Sequence, residues 1–297
     1  MKTITILSGK GGVGKSSISA SLSTVLSEKY KIIAVDCDVD ASNLALVFGK
    51  SEADFKEWNF ISTNKKAVFD LKKCNSCGLC VKTCYFNAIN WKNNKPLLKP
   101  FSCEGCKACE IVCPTGAITM KSVLNAKIGH VETKYDFKVV SAQLLPGESG
   151  SGKLVSEVKK KAINLADDGT KFMIIDSAAG IGCPVIASVV GSDYCILVIE
   201  PTQSSLSDAK RVLEIINHFN IPVGIIINKF DINKKIFKNI EEFAKIKNIK
   251  IIEKIPYNKN FTNALVEMVP IIEIDKNIKK IFNNIAEKLF FLIFLIL

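Results

Sequence analysis

Eight of the eleven cysteines in this chain fall into two runs with the same spacing, CxxCxxCxxxC. The first run occupies residues 74–84 and the second 103–113, so every cysteine of the first recurs 29 positions later. Three thiolates on one tight loop can cap three corners of an iron-sulfur cube, while the fourth thiolate points away. Zinc sites usually use CxxC pairs with longer spacers, so zinc is the weaker alternative. The pattern predicts a duplicated iron-sulfur unit.

The two runs resemble those of two-[4Fe-4S] bacterial-type ferredoxins. In that family the fourth cysteine of each run ligates the cluster of the other run. One departure is Tyr85, which stands where proline normally follows the fourth cysteine, and its expected effect is a less rigid turn. The resemblance implies electron transfer. It assigns one cluster to Cys74, Cys77, Cys80 and Cys113 and the other to Cys103, Cys106, Cys109 and Cys84.

A second stretch with chemical potential is the glycine-rich SGKGGVGKSS at 8–17, which contains GxxxxGK[ST]. It lies between a predicted strand and a predicted helix, so its backbone N–H groups can cradle phosphate. Lys15 can reach the β- and γ-phosphates, and Ser16 can hold Mg²⁺. The alternative, a glycine-rich turn without a ligand, is disfavoured by the motifs that follow. The predicted nucleotide-binding residues of the loop are Gly9, Gly11, Gly12, Val13, Gly14, Lys15, Ser16 and Ser17.

Lys10 makes this loop resemble the deviant Walker A motif of the MinD/ParA family of P-loop ATPases, which includes the nitrogenase iron protein. DCDVDASNL at 36–44 resembles that family's switch I, and IIDSAAGIG at 174–182 resembles its Walker B and switch II. NKFD at 228–231 resembles its adenine-recognition segment. The resemblance implies Mg²⁺-dependent ATP hydrolysis.

The same resemblance implies roles for individual residues. Asp38 would orient the attacking water, Asp176 would bind Mg²⁺ through water, and Asn228 would read adenine. Lys10 would reach across a nucleotide-sandwich homodimer to the γ-phosphate of the partner. The implied catalytic set is therefore Lys10, Lys15 and Asp38, with Ser16 and Asp176 at magnesium.

Two features near these motifs are interpreted as structural. Asp36 and Asp40 flank Asp38, and we interpret them as an end-of-strand carboxylate and an exposed loop carboxylate. The segment GESGSGKL at 147–154 also fits GxxxxGK, but Leu154 stands where the metal hydroxyl should be. No strong strand precedes it, so we predict a flexible loop before a helix.

Three cysteines lie outside the runs. Cys37 and Cys195 sit in apolar strand contexts and are predicted to be small core residues. Cys183 lies seven residues after Asp176, the offset at which the nitrogenase iron protein places a ligand of its dimer-bridging cluster. Because a second such cysteine has no clear counterpart here, a packed thiol is favoured over a bridging cluster.

Short β-branched runs separated by helical patterns must position these residues. This βαβ alternation predicts an α/β fold with a doubly wound, mostly parallel sheet. The strands are predicted at 3–7, 31–35, 172–175, 195–199, 223–227 and 249–252, and the helices include 16–29, 205–218 and 234–247. We predict a discontinuous ATPase domain, residues 1–54 and 123–297, with an inserted α+β ferredoxin-like domain at 55–122.

The composition is that of a globular protein with a formal net charge of +11. Two [4Fe-4S] clusters, each roughly −2 with its thiolates, would lower this charge to roughly +7, which suits an acidic partner or phosphates. Basic residues are scattered and not interleaved with aromatics, so nucleic acid is not expected.

The two ends of the chain bear on where the protein acts. The N-terminus lacks the long apolar stretch of a secretory signal, which predicts a cytoplasmic location. The nine apolar residues of LFFLIFLIL at 289–297 are too few to cross a bilayer and lack a polar face. We predict that this tail packs against the domain or a partner, and membrane contact is not favoured.

Two functions compete for a chain with both sites. The first is an ATPase that couples nucleotide-driven dimer and switch motion to electron transfer from the two clusters to an acceptor protein. The second is an iron-sulfur scaffold or carrier ATPase resembling the Mrp type, which passes a cluster to a client apo-protein. Such carriers display a CxxC pair near the dimer interface, and after residue 113 this chain has only isolated cysteines. Electron transfer is therefore the leading hypothesis, and MinD-like positioning with a redox sensor is the weakest.

Overall fold

The computed structural model describes residues 1–296 and divides into two compact units. The first unit comprises Met1–Trp58, Ile128–Gln143 and Ser151–Leu297, and the second comprises Asn59–Lys127 and Leu144–Gly150. Each unit is described separately below.

Thirteen strands are found in the described residues. In chain order they are β1 (Lys2–Ser8), β2 (Ile32–Cys37), β3 (Lys56–Ile61), β4 (Asn64–Phe69), β5 (Ile89–Lys92), β6 (Lys95–Leu98), β7 (Ile118–Val123), β8 (Ala126–Glu132), β9 (Lys138–Leu144), β10 (Phe172–Ala179), β11 (Tyr194–Ile199), β12 (Val223–Asn228) and β13 (Lys250–Ile255).

The described residues also form eleven α-helices. They are α1 (Lys15–Ser27), α2 (Leu44–Val47), α3 (Leu79–Thr83), α4 (Ala108–Ile111), α5 (Ser151–Leu165), α6 (Cys183–Val189), α7 (Gln203–His218), α8 (Lys234–Ile246), α9 (Asn260–Val266), α10 (Ile271–Ile274) and α11 (Lys276–Phe291). A 3₁₀ turn at Glu52–Asp54 and a π-helical turn at Leu292–Ile296 complete the list. No helix among the described residues is long and apolar enough to span a membrane.

One large sheet has the order β13-β12-β11-β1-β10-β2-β9-β8-β3. Its six strands from β13 to β2 pair in parallel, and β9 pairs in parallel with β2. The central strands are buried on both faces, which explains why they read as continuous apolar runs and not as alternating ones. The predicted doubly wound, mostly parallel sheet is therefore confirmed, and all six predicted strands are present.

The first unit has a core on each face of this sheet. Ile4 and Ile6 of β1 pack into one core together with α1 and α11, while Leu7 packs into the other together with α7 and α8. Successive residues of a strand point to opposite faces, so one strand supplies both cores. The carboxyl ends of the parallel strands meet at one edge of the sheet, where ligands bind in open α/β folds.

The apolar tail continues α11 into the first core. Leu289 is fully buried and Ile293 is 2% exposed, and Phe294 packs against the same cluster. The prediction that the tail packs against its own domain is correct as far as Phe294. The side chains of 295–297 lie outside the part of the chain that the structure describes.

The second unit contains two antiparallel pairs, β4 with β7 and β5 with β6, and the short helices α3 and α4. Its core consists of Ala67, Ile89 and Ile118 together with the thiols of Cys80 and Cys109. Cysteines therefore make up a large part of the buried surface here, unlike in the first unit.

The second unit overlaps the predicted insert at 55–122 but differs at both ends. It begins at Asn59, runs to Lys127 and takes in the segment Leu144–Gly150. That segment is held by long-range contacts that no local pattern reveals. Buried Asn125 donates to the Ser149 carbonyl at 2.8 Å, and Lys66 donates to Glu148 at 2.6 Å.

Candidate functional site

The glycine-rich loop connects the end of β1 at Ser8 to the start of α1 at Lys15. Gly12 and Gly14 have φ values of +80° and +93°, in the left-handed region that favours glycine. A Cβ at Gly9 would overlap Asp208 of α7, and one at Gly14 would overlap the Asn228 amide. These glycines therefore let the loop wrap the N-terminus of α1, where free N–H groups bind anions.

Lys15 is anchored by the carboxylate of Asp176. Its Nζ donates to Asp176 Oδ1 at 2.8 Å, and Ser19 Oγ donates to the same oxygen at 2.8 Å. Both Lys15 and Asp176 are buried, which leaves their charges little water and makes each dependent on the other. The Lys15 ammonium also lies 3.4 Å from Ser16 Oγ. The structure thus brings together three residues that the sequence places in one site.

The segment after β2 presents Asp38 near the same loop. Buried Asp36 organises this segment, because its carboxylate accepts hydrogen bonds from the backbone N–H of Asp38 at 3.1 Å and of Leu44 at 2.9 Å. Burial, and secondarily the negative charge of Asp176, raises the pKa of Asp36 to about 7. Asp36 is the end-of-strand carboxylate expected from the sequence.

Asp38 itself is half-buried. Burial raises the pKa of its carboxyl above the ordinary value, and the positive charge of Lys15 partly offsets this effect. A half-buried carboxylate can accept hydrogen bonds from water, and the water-orienting role of Asp38 stays a prediction.

An open cleft of about 500 Å³ lies over the loop. Its lining includes Gly11, Gly12, Gly14, Lys15, Ser16 and Ser17 of the predicted set, together with Lys10 and Asp38. Outside this lining are Gly9, Val13, Asp176 and Asn228, of which Asp176 binds Lys15 and Asn228 binds the Val13 carbonyl. A cleft of this size accommodates a nucleotide.

Asn228 sits under the loop at the end of β12. Its Nδ2 donates to the Val13 carbonyl at 2.8 Å, and its Oδ1 accepts from the Lys229 N–H at 3.0 Å. The structure thus gives Asn228 a supporting contact with the phosphate loop. Adenine recognition by this residue stays a prediction.

An acidic residue that the motifs did not single out, Glu200, lies beside the loop. Its carboxylate pairs with Lys229 at 2.9 Å and lies 3.9 Å from the Nζ of Lys10. Lys10 also donates to Ser204 at 3.2 Å, and its side chain is 42% exposed. Its place in the sequence could have identified it, because Glu200 directly follows the apolar strand β11; the structure shows that its carboxylate is nearly buried. Glu200 and Lys229 together fix one side of the loop.

The duplication of the cysteine runs extends to the backbone of the second unit. Three pairs of residues 29 positions apart have positive φ, namely Ser76 and Gly105, Gly78 and Lys107, and Asn87 and Gly116. Cys84 Sγ accepts a hydrogen bond from the Ala88 N–H, and Cys113 Sγ accepts one from the Ala117 N–H, both at 3.2 Å. The two runs therefore fold into the same loop conformation.

Two pockets of the second unit gather the eight cysteines of the runs. One pocket is lined by Cys74, Cys77, Cys80 and Cys113, and the other by Cys84, Cys103, Cys106 and Cys109. The two pockets are equally small, about 20 Å³ each. Each pocket thus takes three thiols from one run and the fourth from the other.

These thiols are not arranged around a single point. Among the described residues, no group of three or more His, Cys, Asp or Glu side chains is arranged to hold one metal ion. A [4Fe-4S] cube takes one thiolate at each of four separate irons, so its ligands need not converge as those of one ion do. Burial raises the pKa of the Cys109 thiol to about 11, and thiols with such values become ligands when a cation compensates the thiolate charge.

The other three cysteines and the second GxxxxGK segment give two corrections. Cys37 and Cys195 are buried as expected, but Cys183 is exposed, so the prediction of a packed thiol is wrong. Cys183 is the first residue of α6, and a Cβ added at Gly152 would lie 3.0 Å from the Cys183 Cβ. The strand β9 does precede 147–154, and α5 begins inside that segment and buries Leu154.

Fold and loop geometry together define a class of protein. A loop of this kind between the first strand and first helix of a mostly parallel sheet, with a buried lysine on an aspartate from a neighbouring strand, is that of a P-loop nucleotide-binding protein. Residues 4–271 match the family of CobQ/CobB/MinD/ParA nucleotide-binding domains, and the chain belongs to this family.

Relatives and solved structures agree with this family. An uncharacterized protein of Methanocaldococcus jannaschii is 33% identical over 96% of this chain and 95% of its own length. The septum site-determining protein MinD of Neisseria meningitidis is 24% identical over 92% of this chain and 85% of its own length. The structure of the septum site-determining protein MinD from Pyrococcus horikoshii, in complex with Mg-ADP, superposes with a TM-score of 0.61 at 20% identity and covers 97% of this chain and 95% of that one. At that identity the superposition shows a shared fold.

Proposed function

We propose that this protein binds and hydrolyses ATP and couples nucleotide-driven movement to electron transfer from two [4Fe-4S] clusters to an acceptor protein. One observation carries the proposal. The chain that contains the phosphate loop also gathers eight cysteines into two pockets, each with three thiols of one run and the fourth of the other. This division matches the ligand exchange of two-cluster ferredoxins.

For ATP hydrolysis, the loop residues would bind phosphate through their N–H groups while Lys15 stabilises charge on the β- and γ-phosphates. Asp38 would orient the attacking water from its half-buried position beside Lys15. Ser16 and Asp176 would hold Mg²⁺, which neutralises phosphate charge. Because Lys15 pairs with Asp176 in the described structure, binding of Lys15 to phosphate must weaken its contact with Asp176. The position of Asp176 would therefore respond to whether nucleotide is bound.

The second unit contains eight cysteines in the two runs, the number of thiolates that two [4Fe-4S] clusters take, and residues 55–122 would form the ferredoxin-like domain. A [4Fe-4S] cluster supplies one-electron transfer when bound. The chain would hold one cluster through Cys74, Cys77, Cys80 and Cys113, and the other through the remaining four cysteines. N–H hydrogen bonds to the sulfurs of Cys84 and Cys113 would tune the ligands. Full engagement of all eight thiols favours electron transfer over donation of whole clusters.

A chain of contacts within the first unit supports the coupling. Gly180, after Asp176, donates to the Ser8 carbonyl at 3.0 Å, and α6 begins three residues further on. Helix α5 packs on α6, and its half-buried Lys159 donates to three carbonyls at the C-terminal end of α6, those of Ala187, Ser188 and Val190, at 2.6–3.0 Å. Helix α5 directly follows the second-unit segment that ends at Gly150. A shift of α6 on nucleotide binding would therefore move α5, and with it the chain that leaves the second unit at Gly150.

We further propose that the protein acts as a nucleotide-dependent homodimer. Lys10 is half-exposed and is held only by Ser204 at 3.2 Å and by Glu200 at 3.9 Å, contacts that are weak in water. It is therefore free to leave them for a phosphate of the partner subunit. The MinD/ParA resemblance of the loop carries this role.

The direct test of the function is reduction of candidate acceptor proteins by the reduced, anaerobically purified protein with and without ATP. We expect ATP to accelerate acceptor reduction in wild type and to have no effect in Lys15→Ala. Equal rates and extents with and without ATP would contradict the proposal.

A further inference from the structure

The basic charge of the chain is concentrated in the second unit. That unit contains eleven lysines, no arginine and four carboxylates, which gives a net charge of +7 with its cysteines protonated. Two of these lysines pair with carboxylates inside the unit in the contacts described, Lys66 with Glu148 and Lys73 with Asp70. The second pair is 3.9 Å apart and exposed, so it neutralises little of the local field.

The lysines are not distributed equally between the two cysteine pockets. Lys72 and Lys73 directly precede Cys74 of the first pocket. Lys92 and Lys95 face each other across the β5–β6 turn, and Lys95 Nζ donates to the Cys74 carbonyl at 2.6 Å. We call Lys72, Lys73, Lys92 and Lys95 the lysine rim. It places four positive charges around one loop.

The lining of the second pocket mixes basic and acidic side chains. Its lining contains Lys107 beside Glu104, so the charges there largely cancel. Glu110, on the helix that carries Cys109, accepts a hydrogen bond from the Met120 N–H at 3.0 Å. The two pockets therefore differ in electrostatic character although their backbones repeat.

The first pocket also has an apolar mouth. Leu79 and Trp91 line it and are 41% and 39% exposed, and Cys77 is exposed beside them. An apolar centre surrounded by charged side chains is the anatomy of a protein–protein interface, with aromatic residues enriched at its centre. The exposed Cys77 places the edge of the first cysteine set directly at this surface.

We infer that the lysine rim and the Leu79–Trp91 mouth form the docking surface for an acidic electron-transfer protein, which exchanges electrons through the first cysteine set. The inference rests on the proposed function. It adds the chemical character of the partner and the cysteine set through which electrons would leave. Positive charge complements both an acidic protein and nucleic acid, so the types of basic side chain must decide between them. Arginine is the residue best suited to phosphate recognition, and this unit has none.

Two charge-reversal variants test the surface. The rim variant Lys72→Glu/Lys73→Glu changes the surface next to the first pocket, and Lys65→Glu/Lys121→Glu makes the same formal change at two exposed lysines of the second unit that line neither pocket. The binding probe is a fluorescein-labelled poly-L-glutamate peptide, measured by anisotropy at low salt on the full anaerobically purified chain. We expect roughly tenfold weaker binding for the rim variant and less than about a twofold change for the control.

A kinetic readout uses small oxidants of opposite charge. The dithionite-reduced protein is mixed with anionic Fe(III)–EDTA or with cationic hexaamminecobalt(III) at increasing ionic strength. Wild type should react with the anion at a rate that falls with salt, and the rim variant should lose roughly tenfold of this rate at low salt while its reaction with the cation quickens.

The outcomes separate the docking surface from the proposed function. Protein without iron after anaerobic purification and reconstitution would remove the electron-transfer function, and the peptide arm would still decide whether the rim binds an acidic chain. Equal loss of peptide binding in the rim and control variants would overturn the docking surface. Tighter binding of a labelled DNA duplex than of poly-L-glutamate, with the same dependence on the rim, would also overturn it.

Discussion

The two units of this protein build their sites in opposite ways. In the first unit, the phosphate loop is held by residues far away in sequence, as Lys15 is by Asp176 and Val13 by Asn228, and each of these contacts lies on a buried strand. In the second unit, both pockets come from two short runs of cysteines, and Cys80 and Cys109 form part of the small core. The phosphate loop is held by a core to which it does not itself contribute its ligand groups, whereas the cysteine pockets are part of the core of the second unit.

This difference indicates how strongly the folded structure of each unit depends on its ligand. The large sheet buries enough apolar surface to order the phosphate loop before nucleotide arrives. A unit whose core consists of thiols gains much of its stability when those thiols are bound, as in other small metal-binding domains. We therefore expect the first unit to tolerate loss of its ligand and the second to depend on its own.

The largest expected effect is loss of structure in the second unit when its metal is removed. Anaerobically purified protein should hold about eight irons per chain as two [4Fe-4S] clusters. Cys77→Ser should lower this content to about four, and Cys183→Ser, outside both pockets, should leave it unchanged. Chelation should unfold the second unit while ATP binding survives. Iron analysis and hydrogen exchange measure both effects, and tightly bound zinc without iron after reconstitution would refute the assignment.

The next largest effect separates two residues of the nucleotide site. Lys15→Ala should abolish hydrolysis and weaken ATP binding, because it removes a phosphate contact and leaves buried Asp176 without its cation. Asp38→Ala should reduce turnover by about 10²-fold or more while ATP still binds. Calorimetric ATP titration and phosphate release distinguish the two variants. Wild-type turnover in Asp38→Ala would show that the water-positioning residue lies elsewhere.

These residues also show how far the sequence reaches. The phosphate loop and the six buried strands were predictable, because apolar runs and glycine spacing report local backbone demands directly. The pairing of Lys15 with Asp176 was not predicted, since it joins residues far apart in the chain. The position of Glu200 beside Lys10 and Lys229 was not, since it depends on which strand lies next to β1. The exposure of Cys183 was missed because the packed thiol was favoured only by the lack of a second bridging cysteine, which says nothing about how α6 begins at this residue. The attachment of 144–150 to the second unit rests on Asn125 and Lys66, more than 20 residues away in the chain.

A third prediction concerns Lys10, which marks the loop as different from an ordinary P-loop. Lys10→Ala should still bind ATP through Lys15 and the backbone, but it should fail to dimerise with ATP and lose most turnover. Lys29→Ala, another half-exposed lysine in a weak surface pair, is the matched control and should behave as wild type. Sedimentation with ATP and with a slowly hydrolysed analogue measures dimerisation. A wild type that stays monomeric and keeps its specific activity on dilution would remove the sandwich dimer.

A smaller effect is expected at the contact between α5 and α6. Lys159→Met keeps the long apolar stem of the side chain but removes the ammonium that caps three carbonyls, so stability should fall by about 1–2 kcal/mol. Hydrolysis should change by less than about threefold, whereas the effect of ATP on electron release should be lost. Thermal unfolding measures the stability, and acceptor reduction with and without ATP measures the effect of ATP on electron release. An ATP response equal to that of wild type would show that the signal takes another path.

The smallest predicted effect compares the two repeats. Pro114 follows Cys113 in the second run, and Tyr85, which is 92% exposed, stands at the equivalent position of the first. Tyr85→Pro should stabilise the second unit by about 0.4–1 kcal/mol through a less flexible unfolded chain. Chemical denaturation of the iron-loaded protein measures the change. If Tyr85→Pro instead destabilises the second unit, the two turns, unlike the rest of the repeat, have different backbones.

The central claim, that the nucleotide site of the first unit controls electron release from the second, is tested most directly by one stopped-flow measurement. Dithionite-reduced protein is oxidised by Fe(III)–EDTA, with and without a slowly hydrolysed ATP analogue and Mg²⁺, in wild type and in Lys15→Ala. The account predicts that the analogue changes the oxidation rate of wild type and leaves the rate of Lys15→Ala unchanged. Identical rates for wild type with and without saturating analogue, in protein that holds its full iron, would contradict it.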